Sequence, residues 1–125
     1  MKKVLITGAA GGLGTAVVKQ FLAGGYKVIA TTFPGNEQEI SSLKAIDDNE
    51  ERLKPVPLNV TDAEAVKSFC DALHESDGVL DAAVLLVGGF AMGDVAGTTL
   101  NDLNKQISLN FYSAFNVAQQ QLATM

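Results

Sequence analysis

The sequence predicts an α/β domain in which helices cover both faces of a parallel sheet. Short apolar runs typical of buried parallel strands alternate along the chain with segments whose apolar residues repeat at helical spacing. A glycine-rich stretch separates the first strand from the first helix. With 125 residues, the chain is long enough for one domain with its own core, and we assign residues 1–125 to a single unit.

The glycine-rich stretch joins a predicted strand at residues 3–6 to a predicted helix at residues 13–23. A strand that turns directly into a helix points the unpaired N–H groups of the helix at one position, which favours an anion such as a pyrophosphate. Gly8 then permits the tight turn, Gly12 leaves room for a phosphate, and Gly14 permits close packing. The pattern favours a nucleotide phosphate site over a turn that only reverses the backbone.

The end of the second predicted strand, residues 26–31, is where such sites distinguish their nucleotides. An acidic residue there would hydrogen-bond an adenosine ribose, and a nearby arginine would hold a 2′-phosphate. The sequence has Thr31, Thr32, Phe33 and Pro34 instead. Thr32 therefore leaves the choice between NAD and NADP open.

The next segments carry little sign of chemistry. Residues 36–52 hold most of the acidic side chains and predict a short helix with a charged, solvated face. Residues 53–58 contain Pro55 and Pro57, which cannot donate to a ladder, so they predict a short strand at the sheet edge.

A capping box, Thr61 to Glu64, predicts the start of the following helix. Its apolar stripe includes Cys70, which we interpret as a small buried hydrophobe rather than a reactive thiol. His74 is interpreted as a residue of the helix end rather than a catalytic group.

Residues 79–87 form the longest apolar stretch and predict a central strand covered on both faces. Gly88 and Gly89 follow it immediately. They fit either a close approach by a ribose or nicotinamide, or a plain glycine-rich turn, and the pattern does not separate the two.

Residues 98–125 predict a helix that is bent or interrupted. One face is apolar and contains Leu100, Leu103, Ile107, Phe111, Ala114, Ala118 and Leu122. Asn110 lies within this face, where a polar amide needs hydrogen-bond partners, as part of a structural network or of a site.

Composition excludes several classes of function. The net charge of −5 argues against nucleic-acid binding, which needs a basic surface. No apolar run approaches the length of a membrane helix, and we expect no signal peptide and therefore a cytoplasmic location. One cysteine and one histidine provide no set of metal ligands.

Three motifs resemble the N-terminal half of the short-chain dehydrogenase/reductase family, and the likeness covers essentially the whole chain. The stretch Thr7-Gly8-x-x-x-Gly12-Leu13-Gly14 matches the family's cofactor motif. Asn59-Val60 stands where the family has Asp-Val beside the adenine. Asn110 stands at the asparagine of the family's Asn-Ser-Tyr-Lys catalytic tetrad, which in relatives supports a proton-relay water.

The resemblance implies a three-layer, Rossmann-like half domain with parallel strand order 3-2-1-4 that binds NAD or NADP. Asn110 is the one catalytic residue expected in this chain, and no metal is expected. The expected cofactor-binding residues are Thr7, Gly8, Gly11, Gly12, Leu13, Gly14, Thr32, Asn59, Val60, Gly88 and Gly89.

Two departures from the family pattern affect the expected chemistry. The family's Asn-Asn-Ala-Gly after the fourth strand reads Leu85-Leu86-Val87-Gly88 here, so only the glycine is kept. The Gly88-Gly89-Phe90 that ends this run is similar to the branch that includes dihydropteridine reductase, which leaves a pteridine-like substrate as one option. The sequence also stops before the family's catalytic Ser and Tyr-x-x-x-Lys, so we expect no hydride transfer from this chain alone.

Two functions remain open at this point. The first is the dinucleotide-binding part of a reductase, and the alternative is a non-catalytic nucleotide-binding or dimerisation module. In either case the fourth strand and the last helix lack their usual neighbours. We therefore expect a homo-oligomer, or pairing with another chain through these two elements.

Overall fold

The computed structural model describes residues 1–125 and contains one four-stranded parallel sheet. Its strands are β1 (Lys3–Thr7), β2 (Lys27–Thr32), β3 (Leu53–Pro57) and β4 (Ala82–Leu85). They lie in the order β3-β2-β1-β4, and all three pairings are parallel. The predicted strand order is confirmed.

Helices cover both faces of this sheet, as predicted. They are α1 (Gly12–Ala23), α2 (Glu37–Ile46), α3 (Ala63–Asp77), α4 (Leu100–Ile107) and α5 (Ser113–Leu122). Successive strand residues point to opposite faces, so Val4 and Ile6 belong to one core cluster while Leu5 belongs to the other. The first cluster includes residues of α1 and α2, and the second includes residues of α3 and α5.

Helix α1 buries a different face from the one its apolar spacing indicated. The apolar side chains of Leu13, Val17 and Phe21 recur at helical spacing in the predicted helix, and this stripe indicated the buried face. Leu13 is 66% exposed, however, whereas Gly14, Val18 and Leu22 are the buried residues. Apolar spacing considers only residues with hydrophobic side chains, and it therefore ignores glycine. The helix is instead oriented by close backbone contact at Gly14, which has no side chain to count.

The second crossover agrees with prediction except in the length of its helix. Helix α2 ends at Ile46 rather than near residue 52, because Asp47 adopts an extended conformation at its C-cap. Strand β3 lies at the sheet edge, and Pro55 and Pro57 lie within it. The short length of β3 and its position at the sheet edge were both predicted from the two prolines.

The cap of α3 differs from the predicted capping box. Asp62, not Thr61, is the N-cap, and its carboxylate accepts hydrogen bonds from the backbone amides of Glu64 and Ala65. Thr61 instead donates its hydroxyl hydrogen bond to Asn59. The predicted buried stripe is confirmed, with Val66, Cys70 and Leu73 in the core.

Strand β4 is shorter and less covered than predicted. It spans Ala82–Leu85 rather than residues 79–87, and all four residues are only partly buried. It is paired with β1 alone. An edge strand has hydrogen-bond partners on one side only. The predicted apolar run, residues 79–87, therefore extends beyond the residues that pair with β1.

The C-terminal helical segment is interrupted, as predicted. A π-helical turn, Ser108–Tyr112, joins α4 to α5. The predicted apolar face does not pack on the sheet, however. Leu100 and Phe111 are 78% and 62% exposed, while the residues of α5 that face the sheet and α3 are Ser113, Val117 and Gln121. No helix of the structure is long and apolar enough to span a bilayer.

Candidate functional site

The glycine turn between β1 and α1 has the geometry expected of a phosphate-binding turn. Gly8 has a φ of +65°, a conformation that residues with side chains rarely adopt. A Cβ on Gly14 would lie 2.2 Å from the carbonyl oxygen of Gly8, so only glycine permits the helix to begin this close to the turn. A Cβ on Gly12 would meet no atom within 4 Å. The tight turn at Gly8 and the close packing at Gly14 are as expected, while the phosphate position beside Gly12 stays a prediction.

The amino end of α1 presents unpaired hydrogen-bond donors. No side chain caps the helix, and its first turn contains no acidic residue. The backbone amides of Gly12, Leu13 and Gly14 donate to no protein acceptor, and the first helical bond is made by Thr15 to Gly11. Three free amides at the positive end of a helix dipole favour an anion at this position.

A cleft of about 300 Å³ lies at the carboxyl ends of the strands and begins at this turn. This is the edge at which parallel α/β sheets bind ligands, and it includes the place where strand order reverses between β1 and β4. The cleft is lined by Gly8, Gly11, Thr31, Thr32, Phe33, Glu39, Leu58, Asn59, Val60, Thr61, Leu86, Val87, Gly88 and Leu109.

Thr32 is the last residue of β2 and lies on the wall of this cleft. The residue is 3% exposed, and its hydroxyl is the one buried side-chain polar atom in the structure without a hydrogen-bond partner. A buried hydroxyl without a partner is costly, so Thr32 Oγ1 is an unsatisfied polar atom beside the cleft.

Asn59 lines the cleft, but its side-chain oxygen is already occupied. Asn59 Oδ1 accepts hydrogen bonds from the Thr61 amide at 3.1 Å and the Thr61 hydroxyl at 2.6 Å. The Nδ2 group of Asn59 donates to no protein atom. The amide therefore offers the cleft a donor, whereas the resemblance led us to expect an acceptor for an adenine N–H. Val60, its neighbour, is 4% exposed and is held in place by Asn116, which donates to its carbonyl at 3.0 Å.

Glu39 lines the cleft as well, and the sequence analysis missed it. Its carboxylate accepts a hydrogen bond from the backbone amide of Phe33 at 2.7 Å, while its own amide donates to Asn36, the N-cap of α2. An acidic side chain of the next helix thus lies beside the end of β2. The sequence carried one signal for it, because a glutamate three residues after an Asn N-cap commonly folds back over the helix start.

Gly88 and Gly89 permit a close approach by the π-helical turn. A Cβ on Gly88 would lie 2.9 Å from Asn110 Oδ1, and one on Gly89 would lie 2.7 Å from Leu109 Cδ1. The amide group of Asn110 pairs with the backbone of Gly89 and also donates to the carbonyl of Gln106. Asn110 therefore fixes the loop that follows β4, and a π-helical turn at this point places the side chain to do so.

The predicted site residues thus divide into two groups. The cleft lining includes Gly8, Gly11, Thr32, Asn59, Val60 and Gly88, whereas Thr7, Gly12, Leu13, Gly14, Gly89 and Asn110 lie outside it. Thr7 joins the sheet instead, because its hydroxyl accepts a hydrogen bond from the Leu86 amide at 3.3 Å. Gly12, Leu13 and Gly14 contribute the backbone amides at the mouth of the turn.

The remaining titratable groups do not form a second reaction centre. Burial raises the pKa of the Cys70 thiol, although a hydrogen bond from Gln121 opposes the shift, and the side chain is 7% exposed. A reactive cysteine needs an exposed thiol with a lowered pKa, and Cys70 has neither property. His74 lies with Cys70 along a depression of about 360 Å³ between α3 and α5, at the opposite edge of the sheet from the glycine turn. No group of acidic, histidine and cysteine side chains is arranged to hold a metal.

Comparison with known families agrees with this geometry. The family model described as short chain dehydrogenase matches residues 2–125. The chain belongs to the short-chain dehydrogenase/reductase family. This confirms the resemblance inferred from the Thr7–Gly14 motif, Asn59-Val60 and Asn110.

Individual relatives in the short-chain dehydrogenase/reductase family cover nearly all of this chain. The short-chain dehydrogenase cctT of Talaromyces islandicus is 32% identical over 95% of this chain and 41% of its own length. The dihydropteridine reductase of Dictyostelium discoideum is 28% identical over 91% of this chain and 44% of its own length. The chain spans less than half the length of these two proteins.

A solved family structure shares the fold. The short-chain dehydrogenase of Burkholderia cenocepacia, crystallised with NADP, is 26% identical, with a TM-score of 0.86 over 99% of this chain and 51% of that one. The parallel sheet and its flanking helices are therefore the amino-terminal part of a known Rossmann-like architecture. The NADP in that crystal is a property of the Burkholderia protein.

Proposed function

We propose that this chain is the NAD(P)-binding part of an oxidoreductase. The observation that carries the proposal is the set of three unpaired amides at Gly12, Leu13 and Gly14. They face the mouth of a turn that only glycine can form, and helix amides in this arrangement bind the pyrophosphate of a dinucleotide.

The cleft at the carboxyl ends of the strands supports the same proposal. It starts at Gly8 and Gly11 and runs past Thr32 at the end of β2, and a dinucleotide on the turn would extend its adenosine half in this direction. Asn59 and Val60 lie farther along the cleft, and we propose that they contact the adenine. Bound in this way, the nicotinamide would supply hydride chemistry, while the residues of this chain bind and orient the cofactor.

The test is a titration of the purified chain with NADH and NADPH, followed by cofactor fluorescence and calorimetry. Gly12→Val is the decisive variant, because a Cβ at this position would meet no protein atom within 4 Å, while the added side chain would stand where we propose that the phosphate binds. We expect saturable binding by the natural chain and loss of binding by the folded variant. Equal binding by both would overturn the phosphate assignment.

Hydride transfer in the whole protein is a further part of the proposal, and it requires a tyrosine and lysine that this chain does not contain in a Tyr-x-x-x-Lys pattern. We propose that Asn110 serves such a reaction indirectly, by holding Gly89 and the loop beside the nicotinamide end of the cofactor. A rapid assay with NADH or NADPH and carbonyl or pteridine substrates is expected to detect no turnover by this chain. Turnover would show that its own residues suffice.

The alternative proposal, a module that associates without chemistry, is favoured by one observation. The apolar face of α4 and the π-helical turn points away from the sheet, and β4 has one unpaired edge. We propose that a second copy of the chain covers these surfaces. A concentration-dependent molar mass in size-exclusion chromatography with light scattering would support association.

We also propose that the protein is located in the reducing cytoplasm, which suits the unpaired, buried thiol of Cys70.

A further inference from the structure

Two asparagines of the C-terminal helical segment hold the loops that follow β3 and β4. Asn110 binds the backbone of Gly89 in the loop after β4. Farther along the same segment, Asn116 of α5 donates from Nδ2 to the carbonyl oxygen of Val60 at 3.0 Å, in the loop after β3. Val60 lines the cleft, whereas Asn116 does not. Asn116 therefore acts on the cleft only through the backbone that it contacts.

The Val60 carbonyl depends on this one donor. Val60 lies between the end of β3 and the start of α3, beyond the residues that the sheet ladder holds. Its carbonyl accepts no backbone hydrogen bond, so the Asn116 amide is the only group that donates to it. The bonds from Thr61 to Asn59 lie within the loop and set its shape. The bond from Asn116, across 56 positions of the chain, fixes this shape relative to α5.

The side chain of Val60 is held on the same side of the sheet. Val60 is 4% exposed and belongs to the core cluster that also contains Val117, the residue after Asn116. Apolar packing keeps a residue buried but is not directional, whereas a hydrogen bond also fixes orientation. The two contacts together hold the loop in one conformation, and a ligand that binds a preformed loop does not have to order it.

We propose that Asn116 is a positioning residue for the adenine end of the cleft, because it holds Asn59 and Val60 in the conformation that binds the base. The inference rests on the proposed dinucleotide function and adds to it a residue that touches no ligand. The position requires a donor. A carboxylate of the same shape would place a charged acceptor against the carbonyl oxygen of Val60.

The test compares ADP-ribose, which reaches from the glycine turn to the adenine end, with inorganic pyrophosphate, which fits the turn alone. Calorimetry measures ADP-ribose binding, and NMR titration of the amides of Gly12 to Gly14 follows pyrophosphate. The variants are Asn116→Asp, which keeps the shape and replaces the donor by an acceptor, and Asn116→Leu, which removes both polar groups at similar size. Circular dichroism checks that each variant is folded.

Gln119→Glu is the matched control. It makes the same change from an amide to a carboxylate at an exposed position of α5, so it adds the same charge to the same helix without removing the bond to Val60. All titrations are made at about 0.15 M salt, at which exposed charges are largely screened beyond about 8 Å.

We expect both Asn116 variants to bind ADP-ribose about threefold to tenfold more weakly than the natural chain, the range for one lost hydrogen bond. Pyrophosphate binding should be unchanged, and Gln119→Glu should match the natural chain with both ligands. The deficit of Asn116→Asp should shrink as the pH falls toward about 4, because a protonated carboxyl group can donate to the Val60 carbonyl. The deficit of Asn116→Leu should not change with pH.

The results that would count against the proposal are distinguishable. Natural affinity for ADP-ribose in both Asn116 variants would overturn the positioning function. Equal weakening of ADP-ribose and pyrophosphate would also overturn it, because the bond would then support the fold as a whole rather than the adenine end. A folded natural chain that binds neither ligand would overturn the dinucleotide function itself, and this inference with it.

Discussion

Asn110 pairs with both backbone polar groups of Gly89. The Gly89 amide donates to Asn110 Oδ1 at 3.0 Å, and Asn110 Nδ2 donates to the Gly89 carbonyl at 3.0 Å. The two residues are 21 positions apart in the chain, so this pair of bonds ties the π-helical turn to the loop that follows β4. The asparagine therefore acts on its surroundings through the backbone that it holds.

Replacing Asn110 by alanine should release this loop. Four side-chain hydrogen bonds to Gly89 and Gln106 are lost, each with a net value of about 0.5–1.5 kcal/mol, and the exposed position places the total toward the lower end, about 1–2 kcal/mol. Urea unfolding measures the loss, and hydrogen exchange should show faster opening at Gly88 to Phe90. Asn101→Ala, an exposed asparagine of α4 that makes no side-chain bond, is the control. Unchanged exchange at Gly89 would contradict this function of Asn110.

Gly14→Ala should destabilise the fold, in contrast to Gly12→Val. An added Cβ at Gly14 would lie 2.2 Å from one backbone carbonyl oxygen and 2.6 Å from another, so the helix must shift away from the turn. Overpacking of this kind costs about 1–3 kcal/mol or more. Thermal unfolding followed by circular dichroism checks it. A variant at Gly14 as stable as the natural chain would show that the turn is not as closely packed as described.

The ion pair between Lys27 and Asp77 should make stability depend on pH in the acid range. Burial disfavours the Asp77 carboxylate, but hydrogen bonds from Lys27 and Ser76 and the charges of Lys27 and Lys3 outweigh it and lower its pKa from the ordinary value of 3.8. The stabilisation is therefore complete above pH 3.8 and disappears as the pH falls through the lowered pKa.

The measurement is urea unfolding of the natural chain and of Asp77→Asn between about pH 2 and 7. The natural chain should be more stable by about 1–3 kcal/mol at neutral pH, because its partly buried charge pair is intact. The difference should vanish at the acid end. The Lys67–Asp71 pair is exposed and spans one helical turn, so Asp71→Asn should change stability by less than about 0.5 kcal/mol at any pH. A constant difference between the Asp77 variant and the natural chain would contradict the assignment.

Asn59→Asp should strengthen binding of an adenine dinucleotide. Asn59 Oδ1 already accepts two hydrogen bonds from Thr61, which leaves only the Nδ2 donor to face an adenine amino group that is itself a donor. A carboxylate supplies a second oxygen, and one added hydrogen bond of about 1 kcal/mol corresponds to roughly fivefold tighter NADH binding.

An analogue with hypoxanthine in place of adenine tests the same point from the ligand side. Its 6-oxo oxygen, which replaces the adenine amino group, is an acceptor, so the natural chain should bind the analogue at least as well as NADH, and the aspartate variant should prefer NADH. Asn49→Asp, which adds the same charge at an exposed turn, is the control. A natural chain that strongly prefers NADH would show that the Asn59 amide does not face the base as described.

The outward apolar face of the C-terminal helices should drive self-association. Phe111 is 62% exposed and Leu103 is 47% exposed on this face. Phe111→Glu should convert the associated form to monomer in size-exclusion chromatography with light scattering. Val79→Glu, at a 52% exposed position before β4, should leave the molar mass unchanged. A natural chain that is monomeric at all concentrations would contradict the proposed covering by a second copy.

The sequence by itself determined the fold and the location of its ligand edge. The two helical layers, the edge position of β3 and the interruption before α5 follow from apolar periodicity, glycine spacing and two prolines, whereas the strand order was implied by the resemblance to the family. These are local signals, because each depends on residues within one or two turns of the chain. The glycine motif at Thr7–Gly14 is also a local signal, and the positive φ of Gly8 and the close contact at Gly14 are what its spacing predicted.

Only the tertiary structure decided which groups meet in the cleft and which faces are covered. Glu39 reaches the end of β2 from the following helix. The side-chain oxygen of Asn59 accepts its hydrogen bonds from Thr61. The stripe from Leu100 to Phe111 points outward because β4 is an edge and offers it no further sheet to pack on. Apolar spacing shows that a face is hydrophobic, but what covers that face depends on neighbours distant in sequence.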